Sequence, residues 1–318
     1  MKTRKVIAIL VAVVMVFGSF SVSFADTDTT TVENADTTTT ESTDTTSADT
    51  TAAETSSGTF TDTVGHWGAA AIEKWAGYGI INGYEGLFRP EDSITRGEMA
   101  VILDNMMDYQ ESAANTFTDL QAGQFYTEAV LKANLAGIIK GDGVAVRPTD
   151  KITKEEAAVM LSRAFAVTEA SATKAFVDAS AVSSWAKGAV FGMEAKGYVS
   201  GFEGYFNPKA NIKRAEAVTM INNIVKAYYT EAGTYIDNVD GTVVIKAAGV
   251  IIKDAVINGD VIVAEGVADG NVTFDGKATV KGDLVVRGGG ENSIVIKGDA
   301  NVQSVKVEKR AHNRFQQY

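Results

Sequence analysis

Only three prolines occur in this chain, and each falls in one copy of the same pattern: FRPEDSITRGEMA (88–100), VRPTDKITKEEAA (146–158) and FNPKANIKRAEAV (206–218). The same copies open with Phe60, Phe117 and Phe176 as FTD, FTD and FVD, at spacings of 57 and 59 residues. Self-similarity at a fixed period means repeated supersecondary units that bury their apolar faces on one another. Each unit reads as helix, loop, helix. In the first, Trp67, Ala71, Ile72, Trp75 and Tyr78 recur at helical spacing, and the glycines of YGIINGYEG (78–86) end that helix. The proline disfavours helix just before itself. A second helix is expected near Thr95, with Met99, Ile102, Leu103 and Met106 on its inner face.

The helix starts carry the functional signal. Thr95 with Glu98, and Thr153 with Glu156, have capping-box spacing, in which each residue satisfies an amide of the other; the third copy keeps Glu216 but has Lys213 in place of threonine. Capping accounts for these residues without any function. It does not account for Arg96, Lys154 and Arg214, which place a cation in the first turn at the same register three times. There the helix dipole is already positive, and an exposed cation costs about 0.3–1 kcal/mol. Free amides at a helix start combined with a guanidinium make an anion site, so a carboxylate or phosphate guest is expected.

Around the repeats the composition changes twice. Lys2, Arg4 and Lys5, an apolar run from Val6 to Phe17 and small residues ending at Ala25 have the layout of an export signal over 1–25, with an uncleaved anchor as the alternative. Residues 26–58 hold 14 threonines and 8 acids with no base and no aromatic, the composition of a disordered spacer. The net charge of −11 argues against general affinity for nucleic acid, and the absence of cysteine excludes disulfides and a thiol nucleophile. After Tyr235 the chain becomes rich in Val and Ile with Gly, Asp and Asn at the breaks. INGDVIV (257–263) and VKGDLVV (280–286) match at an offset of 23 residues, which suggests a short β-solenoid over 235–308, with a twisted β-sandwich as the alternative. Residues 309–318 read as a polar tail.

FTDTVGHWGAAAIEKWAGYGIINGYEGLFRPEDSITRGEMAVIL (60–103) resembles an S-layer homology motif almost end to end, and three copies cover about 60–109, 117–167 and 176–227. The resemblance implies a multidomain protein: an all-α, pseudo-threefold assembly of three repeats over 59–227, followed by the all-β part. It further implies a secreted protein held at the cell wall or surface layer of a Gram-positive-type bacterium. Grooves between adjacent copies would grip a pyruvylated amino sugar of the secondary cell-wall polymer attached to peptidoglycan, with no cofactor or metal and with self-association in a surface layer as a further partner. Carried onto this sequence, the binding candidates are Arg96, Lys154 and Arg214, Asp62, Asp119 and Asp178, the platforms Trp67 and Trp185, and Gly83 with Tyr84. The aspartates serve equally as helix caps and the tryptophans as core. His66 reads as local structure. The second unit departs most from the motif, and its lysine lacks the planar fork of arginine, so its groove is expected to be the weakest.

Two rival classes remain at this stage. One is a polysaccharide-active enzyme in the β-part, although Glu265, Asp269, Asp275 and Asp283 lie at turns that need no chemistry to explain them. The other is a lattice subunit that stacks through solenoid edges.

Overall fold

A computed structural model describes residues 60–171, 176–308 and the backbone of 315–317. The expected export signal and spacer, and most of the polar tail, lie outside the described residues.

The helical part contains two helices per unit: α1 (Ala69–Gly77) and α2 (Arg96–Met107), α3 (Thr127–Leu135) and α4 (Lys154–Ala164), α5 (Lys187–Ala195) and α6 (Arg214–Ile224). The first helix of each pair ends at a glycine with left-handed backbone, Gly79, Gly137 and Gly197, at φ of 68°, 77° and 69°. In the first unit, Ile72, Trp75 and Ala76 of α1 and Met99, Ile102, Leu103 and Met106 of α2 are buried together. Trp67 departs from the helical reading, because α1 begins only at Ala69 and leaves Trp67 in the preceding turn.

The units close on one another in a ring. The amide of Ile94 donates to Ile212, that of Ile152 to Ile94 and that of Ile212 to Ile152, at 3.1, 3.1 and 3.0 Å. All three isoleucines are fully buried. No unit completes this pattern alone, so the core is shared rather than built unit by unit.

Strand β1 (Val225–Tyr229) follows α6 with no intervening loop, ten residues before the expected start of the β-part. Ten further strands follow: β2 (Gly233–Tyr235), β3 (Thr242–Ile245), β4 (Val250–Lys253), β5 (Val256–Ile257), β6 (Val261–Val263), β7 (Val272–Asp275), β8 (Thr279–Val286), β9 (Ile294–Ile296), β10 (Asn301–Val307) and β11 (Phe315–Gln317). They form two sheets, one ordered β1-β3-β6-β8-β10 with β5 also on β8, the other β11-β9-β7-β4-β2. The named strands all pair in parallel. Val261 faces Leu284, 23 residues on, and Val272 faces Ile294, 22 residues on, so the sequence offset is the length of one coil. Parallel pairing at that offset defines a solenoid in place of the twisted sandwich.

Inward residues such as Val243, Val261, Phe274 and Leu284 fill the solenoid core. The outward residues of the first sheet are buried as well. Tyr228, Val244, Ile262 and Val285 stand in register and pack against the helical core. A sheet covered on both faces loses polar alternation, which is why these strands read as unbroken Val and Ile. The solenoid also receives the last carbonyls of two helices. Tyr228 donates to the Met106 carbonyl at 2.9 Å and Lys246 to that of Asn105 at 2.8 Å, at the end of α2. At the end of α4, Arg287 donates to the carbonyls of Ala164 and, at 3.1 Å, Arg163. Carbonyls at a helix end lack their usual partner one turn on, and these side chains satisfy them, the Arg163 carbonyl together with the Ala166 amide at 3.3 Å.

Replacing Arg287 by alanine removes both bonds from a buried helix end and is expected to cost about 2–3 kcal/mol. In urea, the far-ultraviolet helix signal should then shift to a lower midpoint. An unchanged midpoint would mean that the two parts do not stabilise each other.

Candidate functional site

The helix starts are closed, not open. Thr95 and Thr153 accept the amides of Glu98 and Glu156 at 3.2 and 3.3 Å, and those glutamates return bonds to the threonine amides at 2.7 and 2.9 Å. In the third unit only the glutamate half exists, from the Lys213 amide to Glu216 at 2.9 Å, since an ammonium cannot accept. The next two amides go to the neighbouring unit. Arg96 and Gly97 donate to Asp150 and Pro148, Lys154 and Glu155 to Ala210 and Pro208, and Arg214 and Ala215 to Asp92 and Pro90, all within 2.7–3.1 Å. The expectation of free amides awaiting an anion therefore gives way: each proline lends its carbonyl to the helix start of an adjacent unit.

The three cations follow the same circuit. The Arg96 guanidinium lies 3.3 Å from Glu156, the Lys154 ammonium 2.6 Å from Glu216, and the Arg214 guanidinium 3.0 Å from Glu98. Each glutamate divides its oxygens, with Oε2 on its own cap and Oε1 on the neighbour's cation. Each cation thus pairs across the unit boundary instead of opposing its own helix dipole. Further bonds run from Arg96 Nε to the Val146 carbonyl at 2.9 Å, from Arg214 Nε to that of Phe88 at 2.9 Å and from Arg214 to that of Asn82 at 3.0 Å. Burial lowers Arg96 and Arg214 from the ordinary guanidinium value, against the pull of their glutamates. Burial would raise Glu156, but the Thr153 amide and the Arg147 and Arg96 guanidiniums hold it below the usual carboxylate range.

The three opening aspartates share one arrangement. Asp62 accepts the amides of Phe88 and Arg89, Asp119 those of Val146 and Arg147, and Asp178 those of Phe206 and Asn207, at 2.7–2.9 Å. Arg89, Arg147 and Asn207 precede the prolines with φ of 58°, 53° and 57°, so each aspartate clamps a strained left-handed residue. None caps the first helix of its unit. Gly83 is needed for packing, since a Cβ there would fall 2.3 Å from the Phe60 ring.

What remains open is a cleft of about 210 Å³ lined by Arg96 from the first unit, Ile138–Gly141, Arg147, Glu156, Val159, Met160 and Arg163 from the second, and Trp185 from the third. Four cations, Arg96, Lys140, Arg147 and Arg163, line it with one carboxylate, Glu156, which pairs with Arg96 and Arg147. Trp185 is 58 % exposed and Trp67 61 %, which separates both from the core. Phe125, at the equivalent place in the second unit, is 71 % exposed. Gly83 and Tyr84 do not join Arg96, because their turn holds Arg214 through the carbonyls of Asn82 and Phe88.

Lys140, Arg147, Arg163 and Phe125 were not among the expected site residues. Phe125 follows Gly123 at the distance at which Trp67 follows Gly65, and that spacing was the available signal. Arg163 bonds the Ile138 carbonyl as Asn105 bonds Ile80 and Asn223 bonds Tyr198, so only the fold exposes its extra charge. In the solenoid, Glu265 accepts the Gln110 amide at 2.9 Å, Asp275 pairs with Lys297 at 3.3 Å and Asp283 with Lys306 at 2.6 Å. Asp269 lies on a separate cleft of about 470 Å³ between the helical part and the solenoid.

Three stretches, 59–100, 116–158 and 175–218, match the S-layer homology domain. The helical part of this chain is therefore three tandem S-layer homology domains. Among similar proteins are the exoglucanase XynX of Acetivibrio thermocellus, 35 % identical over 34 % of this chain and 10 % of its own length, and the S-layer protein sap of Bacillus anthracis, 30 % identical over 55 % and 22 %. A cellulosome-anchoring protein of Acetivibrio thermocellus is 28 % identical over 45 % of this chain and 34 % of its own. The matches thus span a tenth to a third of these relatives.

Glu156→Gln removes the charge shared by Arg96 and Arg147 and is expected to lower stability by about 2–3 kcal/mol, less than for a fully buried pair because Arg147 is half exposed. A depressed carboxyl contributes stability that is complete above its ordinary value of 4.5 and is lost as pH falls through its lower folded value. Below that point, wild type and variant should converge in thermal midpoint. A constant gap between them down to acid pH would contradict the assignment.

Proposed function

We propose that this protein anchors itself to the bacterial cell wall by holding an acidic sugar of a wall polysaccharide in the clefts between its repeats. The supporting observation is the cleft at Arg96, which four cations and a single carboxylate line beside an exposed indole. A cationic surface attracts a carboxylate, and an aromatic face covers the apolar side of a sugar ring. The pyruvyl ketal of a secondary cell-wall polymer supplies both groups on one unit. On this reading the three clefts follow a pseudo-threefold rule: a cation from one unit, the turn of the next and the aromatic of the one after. The rule joins Arg214 to Phe125 and Gly83–Tyr84, and Lys154 to Trp67 and the turn at Phe202. The Arg96 cleft thereby takes its turn from the divergent second unit, whereas Lys154, whose groove is expected to be the weakest, belongs to the cleft of Trp67. The similar proteins with surface-layer and anchoring names support the reading, as does the export signal expected in the sequence. The protein is then exported and carried at the wall or surface layer, with the solenoid assigned no reaction.

Arg96 is a poor probe of this reading, because its loss also opens the ring of units. Cosedimentation of the full chain with purified walls, intact or stripped of secondary polymer, should instead compare wild type with Trp185→Ala and with Lys140→Glu/Arg147→Glu. Retention on intact walls is expected to fall about tenfold for the first, equivalent to ~1.4 kcal/mol, and to vanish for the second. Equal retention by all three proteins, or by stripped walls, would overturn the proposal.

A further inference from the structure

The turn that precedes α1 is built around a histidine. The His66 amide donates to the Thr63 carbonyl and the His66 carbonyl accepts from Ala69, both at 3.0 Å. Its ring nitrogen Nδ1 accepts from the Gly68 amide at 3.0 Å. An amide aimed at Nδ1 requires a lone pair there, which the tautomer with its proton on Nε2 supplies. That nitrogen donates to Glu91 Oε1 at 2.9 Å. Glu91 in turn receives the ammonium of Lys213, the residue that precedes α6. His66 therefore joins the start of the first unit to the third unit, across the seam that closes the ring.

Trp67 is enclosed by this turn. Its ring stands 5.1 Å from the imidazole, while its outer face is exposed. Space behind the turn is limited, since a Cβ on Gly68 would meet that of Ala215 in α6 at 3.4 Å. The charged groups at the ring are Glu91, from the loop after Pro90, and Lys213, at the start of α6, which Glu91 also receives. Neither alters the situation at Nδ1, where a second proton would set two donors against each other. The ring must then turn away or the turn must open, and either movement displaces Trp67. The equivalent positions in the other units are Gln124 and Ser184, which do not titrate.

We propose that His66 is a positioning residue that holds Trp67 in place only while its imidazole is neutral, so that acidification loosens the seam between the third and first units and weakens the cleft that Trp67 serves. The consequence for binding rests on the anchoring function proposed above; the conformational part does not. Acid then acts on one cleft and leaves the Arg96 cleft, with Trp185 beside Ser184, unaffected.

The conformational part is tested without any wall, by nitrogen-15 and proton resonance of the full chain between about pH 8 and pH 5, the interval in which histidine changes charge. The Trp67 indole resonance is assigned with a Trp67→Phe variant. At the upper end, His66 should carry its proton on Nε2 alone. As Nδ1 gains a proton, the Trp67 resonance should move along the same curve, and exchange of the Gly68 amide should accelerate at least about tenfold, the mark of local opening. His66→Gln should abolish the pH response of Trp67. A proton on Nδ1 at the upper end, or a Trp67 resonance indifferent to the titration, overturns the inference whatever the walls do. For binding, the wild-type fraction on intact walls should decline over the same interval while that of His66→Gln stays level with pH. Parallel decline of the two overturns the binding consequence, whereas absence of wall retention at every pH counts against the anchoring function itself.

Discussion

Each glutamate of the helix starts has two oxygens and two obligations, and the fold follows from the way they are divided. One oxygen closes the cap of its own helix; the other receives the cation of a neighbouring unit. Because Arg96 answers to Glu156, Lys154 to Glu216 and Arg214 to Glu98, the pairings form a closed circuit. The backbone repeats it, with each proline carbonyl taking an amide from the adjacent helix start. A unit taken from this circuit would lose the partners of its cation, its cap glutamate and several amides and would expose the apolar surface that its neighbours cover, a larger loss than any single pair contributes. Three units are therefore the smallest set that satisfies the group, and a cation in the first turn is tolerable only inside it.

This circuit also explains why the clefts cannot be assigned to single repeats. The cation leaves its own unit to reach the next, and the exposed aromatic comes from the unit beyond. A cleft is a property of the ring. The second unit looks poor when read alone, with no His-Trp pair and no Gly-Tyr turn, yet its Lys140, Arg147 and Arg163 give the Arg96 cleft its cationic character.

Much of this architecture was readable in the chain. The repeats, the two threonine capping boxes and the inner face of α2 depend on spacings of a few residues, and the coil length of the solenoid depends on self-similarity at 23. What could not be read depends on distant partners. Nothing near Arg96 announces a carboxylate sixty positions away, and nothing near Arg214 points back 116 positions to Glu98. The aspartates read as caps of the first helices for the same reason: the amides they accept lie 26–29 positions downstream. Trp67 was drawn into α1 because it stands four residues before Ala71, although the helix starts two residues after it. The early start of β1 is hidden because no glycine or proline separates α6 from the strand.

The solenoid gives this ring a direction. Helix α4 has Lys154 and the neighbouring unit's carbonyls at its start and Arg287 of the solenoid at its end; α2 has Arg96 at its start and Tyr228 and Lys246 near its end. At 1.5 Å per residue, such helices set about 16–18 Å between the two sites. Their opposite ends are satisfied by different kinds of partner, a sister repeat at the amino end and the solenoid at the carboxyl end. A backbone that hydrogen-bonds at both ends cannot shift along its axis without breaking one set or the other. The Arg96 cleft is thereby joined through rigid helices, rather than through a linker, to the solenoid.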